Sequence, residues 1–255
     1  MPDHIFSRPF DSEATGYALT SQETAFASGS GTPAPVREKS VHLSGDEGQS
    51  VKTPAVKSDK DDTRKREKLK ELYYEFKECH HCSLGTTRKN FIFGAGNVLA
   101  PLMIIGEAPG AEEDQKGLPF VGKAGQLLTK MLKAIDLNRK NHIFITNVLK
   151  CRPPANRNPE STEITLCLPL LKRQIEIIKP EALLLLGRIA AHALLGKSES
   201  IGALRTMTNT YNEIPVVVTY HPAALLRNET YKRPAWEDLQ KLRDILMQRG
   251  VYAES

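Results

Sequence analysis

Four short apolar runs, each followed by a helix-like segment, constrain the fold of this chain more than any other feature. The runs occupy residues 102–105, 143–148, 183–186 and 216–220. Largely continuous apolar runs of this length are typical of strands that are buried on both faces of a parallel sheet. Strands that alternate with helices indicate an α/β fold. We therefore predict a three-layer α/β sandwich with a central, four-stranded, mostly parallel sheet.

Helical patterns separate the apolar runs. Before the first run, from about residue 62, one apolar stripe is formed by Leu69, Leu72, Tyr73 and Phe76 at the spacing of a helix face. Further helical patterns begin near residue 122 and near residues 162, 189 and 236. Pro169 lies inside the pattern that starts near residue 162, and it should kink or divide that helix.

The N-terminal segment, residues 1–65, differs in composition from the rest of the chain. It contains 25 Ser, Thr, Gly or Pro residues and only 12 Val, Ile, Leu, Met, Phe, Trp or Tyr residues. Such a segment cannot bury enough apolar surface to offset the entropy lost on ordering. We predict a disordered low-complexity tail over residues 1–65 and one folded domain over residues 66–255. The basic end of the tail is either a solvated linker or an electrostatic tether to nucleic acid.

Charge and hydropathy exclude several classes of protein. The sequence has no apolar run of about 18 residues and no secretory signal at its start. We therefore expect a cytoplasmic protein that does not associate with membranes. A net charge of +5, from 35 basic and 30 acidic residues, permits a polyanionic partner without requiring one.

Polar residues follow the predicted strands, where ligands of open α/β sheets bind. The segments are 106–110, 147–154, 187–188 and 221–222, and we expect them to converge on one cleft. Asn147 offers an amide that could pair with an edge presenting an N–H beside a C=O, as uracil does, or could cap the strand end. Phe120 could stack on a flat base or belong to the core. His221, taken alone, could be a functional group of the cleft or a histidine whose ring is satisfied within the core.

The four cysteines of the chain form a second constellation. Cys79 and Cys82 make a C-x2-C pair, and Cys151 and Cys167 make a C-x15-C pair much later in the chain. Four thiolates suit either tetrahedral zinc or an iron–sulfur cluster. Unligated buried cysteines are the remaining interpretation.

Four motifs and the cysteine pair together resemble the family-4 uracil-DNA glycosylases. The motifs read GEAPG-x-x-ED, PFVG-x-AG, ITNV-x-KCRPP-x-NR-x-P and HP-x-x-LLR, and they occur in this order between residues 106 and 227. The resemblance covers about residues 66–250 and makes the folded region a catalytic domain of the uracil-DNA glycosylase fold. It implies a 4Fe-4S cluster with a structural role, held by Cys79, Cys82, Cys151 and Cys167.

The resemblance also implies roles around a uracil that is flipped out of DNA into the cleft. Phe120 would stack on the base, Asn147 would read its pairing edge and the backbone of Gly106, Glu107 and Ala108 would line the pocket. His221 would stabilise the departing base at O2. The wider superfamily orients the attacking water with an aspartate where this chain has Ala108.

Other groups must therefore replace two residues of the wider superfamily. Candidates for positioning the water are Glu107, Glu113 and Asn156. Gly110 stands where the superfamily has a tyrosine that excludes thymine, and Glu113 is our candidate for that task. Leu225 matches the position of the wedge that fills the gap left by the flipped nucleotide. Candidate phosphate contacts are Arg227, Lys123 and Arg157.

The resemblance therefore implies that the chain is a hydrolase that removes uracil from DNA, leaves an abasic site and starts base-excision repair. We expect it to act as a monomer in the cytoplasm, associated with the nucleoid of a bacterial-type cell. One alternative is a glycosylase for other deaminated bases, such as hypoxanthine. Another is a non-catalytic iron–sulfur module that binds DNA. An ordinary nucleotide-binding domain is disfavoured, because neither GxGxxG nor GxxxxGK[ST] occurs where a strand meets a helix.

Overall fold

A computed structural model describes residues 59–252 of the 255-residue chain. The first helix among the described residues, α1 (Asp59–Phe76), begins before the predicted boundary at residue 65, so the last residues assigned to the tail are helical. The remainder of the predicted tail, residues 1–58, lies outside the described residues. Over residues 59–252, every helix is too short or too polar to cross a lipid bilayer.

The central sheet has six strands in the order β1-β3-β2-β4-β6-β5. The four predicted strands form its parallel centre, and they are β2 (Leu102–Gly106), β3 (Ile143–Asn147), β4 (Ala182–Leu186) and β6 (Ile214–Thr219). The α/β class with a mostly parallel sheet is therefore confirmed, but the predicted number of strands is wrong.

The two additional strands lie antiparallel at the sheet edges and are too short to give a sequence pattern. β1 (Ala95–Gly96) has only two residues and pairs with β3. β5 (Asn209–Tyr211) pairs with β6 across a tight turn in which both Asn212 and Glu213 have positive φ. Glutamate in place of the usual glycine hides this hairpin from sequence reasoning.

Helices cover both faces of the sheet. Besides α1, the helices are α2 (Leu84–Thr87), α3 (Ala111–Lys116), α4 (Lys123–Lys133), α5 (Ser161–Ile178), α6 (Arg188–Leu195), α7 (Ile201–Thr206), α8 (Pro222–Arg227) and α9 (Lys232–Gln248). Short 3-10 turns occur at Pro154–Asn156 and Glu229–Tyr231. Pro169 lies within α5, which continues through it as one helix. The proline is exposed, so the carbonyl it leaves without a partner can reach water.

Successive residues of the central strands point to opposite faces and build two separate cores. In β2, Met103 and Ile105 belong to the core that contains buried residues of α1, α5, α6 and α7. Leu102 and Ile104 belong to the other core, which contains buried residues of α4 and α9. This division is the predicted three-layer sandwich. The parallel strands all direct their carboxyl ends toward one edge, where the loops after β2, β3 and β6 meet.

Candidate active site and cysteine cavity

A cleft of about 400 Å³ opens at the carboxyl ends of β2, β3 and β6. Its walls are formed by Glu107, Ala108, Pro109, Gly110, Glu113, Phe120, Ala124, Asn147, Pro153, Asn156, Arg157, Asn158, His221, Ala223 and Arg227. Three of the four predicted loop segments therefore converge. The fourth segment, 187–188, does not line the cleft.

Asn147 forms the inner end of the cleft. It is the last residue of β3, only 2% exposed, and its side-chain Oδ1 is buried without a hydrogen-bond partner among the described residues. A Cβ atom on the neighbouring Gly106 would overlap this oxygen and would lie 2.6 Å from Cζ of Phe120. Glycine at 106 therefore keeps open the space between the amide and the aromatic ring.

The loop that carries Phe120 is held from two sides. Phe120 has a left-handed backbone with φ of 52°, a conformation that costs free energy unless its surroundings enforce it. Arg139 donates Nη1 to the Phe120 carbonyl at 3.0 Å and Nη2 to the Pro119 carbonyl at 3.1 Å. A Cβ atom on Gly125 would overlap the Phe120 carbonyl oxygen, so α4 can pack against this loop only with glycine there.

Glu113 binds the other side of the same loop. Its Oε1 accepts the backbone N–H groups of Val121 at 3.0 Å and Gly122 at 3.1 Å, while Oε2 accepts the N–H of Gly110 at 3.2 Å. These three bonds occupy most of the acceptor capacity of the carboxylate. A Cβ atom on Gly110 would lie 2.7 Å from Oε2, so the carboxylate fills the space that a side chain at 110 would use.

His221 follows β6 and caps the start of α8. Its Nδ1 accepts the backbone N–H of Ala223 at 3.2 Å, and therefore the proton of the neutral ring lies on Nε2. Burial and the charge of Arg227 lower the pKa of His221 to about 4, against the opposing influence of the Glu113 carboxylate. The ring centroid lies 5.7 Å from that of Phe120. The cleft thus contains a neutral N–H donor beside an aromatic face.

Glu107 and Asn156, two candidates for positioning the water, differ in whether their side chains already bind other residues. The carboxylate of Glu107 makes no hydrogen bond to another residue in the described part of the chain, and burial raises its pKa, with the charge of Arg188 opposing this rise. Asn156 is exposed and its Oδ1 already accepts Nε of Arg152 at 2.8 Å. Of the two carboxylates among the three groups predicted to position water, only that of Glu107 makes no hydrogen bond to other residues between 59 and 252.

The predicted phosphate contacts are not equivalent. Arg227 is exposed at the rim of the cleft. Arg157 also lines the cleft, but its guanidinium forms a two-pronged ion pair with Glu163, at 2.6 Å and 2.9 Å. Lys123 is exposed at the start of α4 and does not line the cleft.

The predicted wedge, Leu225, is a buried residue in this structure. It is 3% exposed and packs in the interior beneath α8, whereas the adjacent Leu226 is 53% exposed. Since a helix turns by about 100° per residue, neighbouring residues of α8 cannot share a face. Leu226 is therefore the leucine of this motif that can reach a partner.

All four cysteines line one separate cavity. It contains Phe76, Cys79, His81, Cys82, Gly85, Phe91, Cys151, Leu166, Cys167 and Leu170, and the four thiols are free. Arg88 donates Nη1 to Cys151 Sγ at 3.1 Å. Burial raises the pKa of Cys151 to about 11, and the hydrogen bond from Arg88 opposes this rise. Within residues 59–252, no group of three or more His, Cys, Asp or Glu side chains is arranged to hold a single metal ion.

Sequence reasoning missed three residues that support these two cavities. Arg139 contacts a loop that is distant along the chain, and a lone arginine in a polar turn gives no signal of that contact. The sequence likewise gives no signal that Arg88 contacts Cys151. Lys150 is completely buried. It stands inside the ITNV-x-KCRPP motif, but its side chain cannot be recognised as internal from the sequence.

Comparison with known proteins agrees with this architecture. A family model described as the uracil DNA glycosylase superfamily matches residues 93–240. The Type-4 uracil-DNA glycosylase of Saccharolobus solfataricus is 44% identical over 185 residues, which cover 69% of this chain and 86% of that protein. The Type-4 uracil-DNA glycosylase of Thermotoga maritima is 39% identical over 190 residues, or 72% of this chain and 98% of that protein. This chain belongs to the type-4 family of the uracil-DNA glycosylase superfamily.

Proposed function

We propose that this protein hydrolyses the N-glycosidic bond of uracil in DNA and leaves an abasic site for base-excision repair. The observation that carries the proposal is the buried Oδ1 of Asn147, which has no partner among the described residues and lies in a cleft with Phe120 and His221. A buried polar atom without a partner is costly in a folded protein, and a ligand that donates to it removes that cost.

Uracil fits the amide of Asn147 better than cytosine does. The amide oxygen accepts from the N3–H of uracil, and the amide nitrogen donates to its O4. Cytosine has an unprotonated N3 and an amino group, so both groups of the same amide would be badly paired. A site that leaves buried polar groups unpaired can discriminate by about 10⁴-fold. Phe120 stacks on the face of the base and excludes water from it.

His221 acts on the leaving base. As the glycosidic bond breaks, the sugar gains positive charge and uracil departs as an anion. The N–H at Nε2 of His221 donates to uracil O2, and this bond strengthens as negative charge accumulates there. Removing one such donor typically costs about 100-fold to 1000-fold in rate. Because the ring is neutral, binding of the base requires no prior protonation.

Glu107 positions the attacking water. Glu113 has its oxygens engaged by backbone N–H groups, and the Oδ1 of Asn156 is engaged by Arg152. Glu107 lines the same cleft with its carboxylate uncommitted to other described residues. The remaining role of Glu113 is to exclude thymine, because its carboxylate fills the space next to Gly110.

DNA binds along the rim of the cleft. Leu226 replaces Leu225 as the wedge that fills the gap left by the flipped nucleotide, since it is the exposed residue of the pair. Arg227 contacts phosphate, with a smaller contribution from Arg157, whose guanidinium is already paired, and from Lys123. We also propose that the protein acts on chromosomal DNA in the cytoplasm, as a monomer.

The cysteine cavity fits a 4Fe-4S cluster held by Cys79, Cys82, Cys151 and Cys167. Four thiols line one largely apolar cavity, and four cysteine thiolates are the ligand set of such a cluster. When bound, the cluster would supply cross-links between the segment after α1 and the segments around Cys151 and Cys167. Its role is structural. Arg88 contributes a positive charge beside the thiolates.

The test is incubation of the purified full chain with an oligonucleotide that contains one uracil, followed by alkaline cleavage of abasic sites. A matched oligonucleotide with thymine is the control, and others with hypoxanthine and cytosine report specificity. We expect cleavage at uracil alone. Cleavage at hypoxanthine instead would favour a different deaminated base, and tight DNA binding without base release would favour a non-catalytic module. Either result overturns the proposal.

A further inference from the structure

Lys150 is a buried lysine that the proposed reaction does not use. Its side chain is 0% exposed. Its ammonium group donates to three acceptors, Thr146 Oγ1 at 2.5 Å, the Asn147 carbonyl at 2.7 Å and Gln174 Oε1 at 2.8 Å. An ammonium has three N–H donors, so this set satisfies it completely. Such a match in the interior indicates a fixed position for the group.

The acceptors of Lys150 are themselves anchored. Gln174, on α5, donates Nε2 to the carbonyl of Phe93 at 2.8 Å, and Thr146 donates its hydroxyl to the same carbonyl at 2.8 Å. The ammonium therefore connects the end of β3 with α5 and with the segment before β1. The network leaves the peptide after Asn147 little freedom to rotate, because its carbonyl is held at the centre.

The same residue also reaches the cysteine cavity. Lys150 immediately precedes Cys151, and its backbone amide interacts with the thiol of Cys167. The backbone carbonyl of Lys150 accepts the N–H of Ile92 at 2.8 Å. One residue thus touches the wall of the cysteine cavity through its backbone and the peptide of Asn147 through its side chain.

We propose that Lys150 is a positioning residue: by binding the Asn147 carbonyl, it holds the Asn147 side-chain amide where it can pair with the base. Lys150 approaches Asn147 from the side of the cysteine cavity. The inference rests on the proposed function, because it concerns how uracil is read. Asn147 pairs with Gly106 in the sheet, and its carbonyl accepts a hydrogen bond from Lys150. These two constraints fix the backbone from which its side chain extends. Misplacement of such a group by about 1 Å can cost about 100-fold in rate.

The test compares Lys150→Met with Gln174→Met in the full chain. Lys150→Met removes three hydrogen bonds from the buried network and Gln174→Met removes at least two, but only Lys150→Met removes the contact with Asn147. Single-turnover rates on uracil-containing DNA are normalised to folded, iron-loaded protein, and affinity for free uracil is measured by calorimetry. For Lys150→Met we expect a loss of about 100-fold in rate and weaker uracil binding. Gln174→Met should lower the melting temperature while its normalised rate stays within about threefold of the parent.

A double-mutant cycle separates positioning from general support of the core. In an Asn147→Ala background, Lys150→Met should have almost no further effect on the normalised rate, because the group it positions is absent. If the two effects are instead fully additive, the inference is wrong. If Lys150→Met fails to fold, Lys150→Gln, which keeps amide donors, carries the same cycle with the same expectation.

The outcomes distinguish this inference from the proposed function. No release of uracil by the parent protein contradicts the proposed function itself. An active parent together with a fully active Lys150→Met variant contradicts only the role of Lys150. Equal losses for Lys150→Met and Gln174→Met, after normalisation, also contradict it, because the contact with Asn147 would then have no separate effect.

Discussion

The proton of His221 has one place in the neutral ring, because Nδ1 already accepts the N–H of Ala223. This arrangement gives the cleft a donor that keeps the same tautomer before and after the base departs. At the scale of single residues, the proposed role of His221 therefore makes the rate depend on the pH at which the ring gains a second proton. Burial, Arg227 and Glu113 set that pH together.

The pH dependence of the rate follows from the lowered pKa. The folded-state pKa of His221 is about 4, below the ordinary value of 6.5, so the ring is neutral throughout the physiological range. As far as the protonation of His221 determines it, the single-turnover rate should be constant from about pH 6 to about pH 8 and should fall as the pH approaches 4. A rate profile that titrates near the ordinary histidine pKa would contradict this assignment.

The same shift makes a prediction for stability. Between pH 6.5 and about pH 4 the unfolded chain holds a proton on His221 that the folded chain does not. The free energy of unfolding should therefore decrease as the pH falls through this window. Chemical denaturation at several pH values measures the effect, and a His221→Gln variant should show a smaller decrease.

At the scale of elements, the short helix α8 presents two adjacent leucines to different surroundings. Leu226→Ala should slow uracil release from duplex DNA, where a wedge must hold the helix open, and should leave the melting temperature nearly unchanged. Leu225→Ala removes a buried side chain and should destabilise the fold by about 2–5 kcal/mol. The pair is its own control, since the substitutions are chemically identical. Reversal of the two phenotypes would restore Leu225 as the wedge.

The loop that carries Phe120 depends on a long-range contact. Arg139→Met removes the donors to the carbonyls of Pro119 and Phe120, and a left-handed phenylalanine should then relax toward ordinary backbone angles. We expect about a tenfold loss in kcat/KM on uracil-containing DNA with little change in stability. Lys140→Met, which removes an adjacent exposed positive charge, is the matched control. Equal losses in both variants would assign the effect to charge rather than to the loop.

At the scale of the whole molecule, the alternation of strands and helices could be predicted because buried parallel strands require continuous apolar runs. The two edge strands could not, since β1 is only two residues long and the β5–β6 turn lacks glycine. Asn147 and His221 could be found from motifs at strand ends, and Phe120 from a motif between two helices. Arg139 and Lys150 could not, because their partners become neighbours only when the sheet forms.

The cysteine cavity predicts a joint loss of metal and stability. Cys151→Ser should lower the iron content of the purified protein and its melting temperature together, because a bound cluster would join segments that are distant in sequence. Iron analysis and thermal unfolding of the same preparation measure both quantities. Full iron content in the variant would remove Cys151 from the set of ligands.

The start of α1 defines where the chain can be shortened. Removal of residues 1–58 keeps α1 complete and should leave both uracil release and the melting temperature unchanged. Removal of residues 1–65 also deletes Lys65, which donates to the carbonyl of Ile178 at 2.9 Å, and should lower the melting temperature. Loss of activity after removal of residues 1–58 alone would show that the segment before α1 takes part in the reaction.

The crowding around Gly106 and Gly125 has a consequence for how this protein tolerates mutation. Neither glycine carries a side chain that could bind DNA, yet an added methyl group would meet the Asn147 amide in one case and the Phe120 carbonyl in the other. In a saturation library selected for repair, both positions should accept no other amino acid, whereas exposed lysines far from the cleft should vary freely. The glycines of the pocket thus mark the places where no side chain fits. A map of tolerated substitutions would therefore outline the space that the bound base needs.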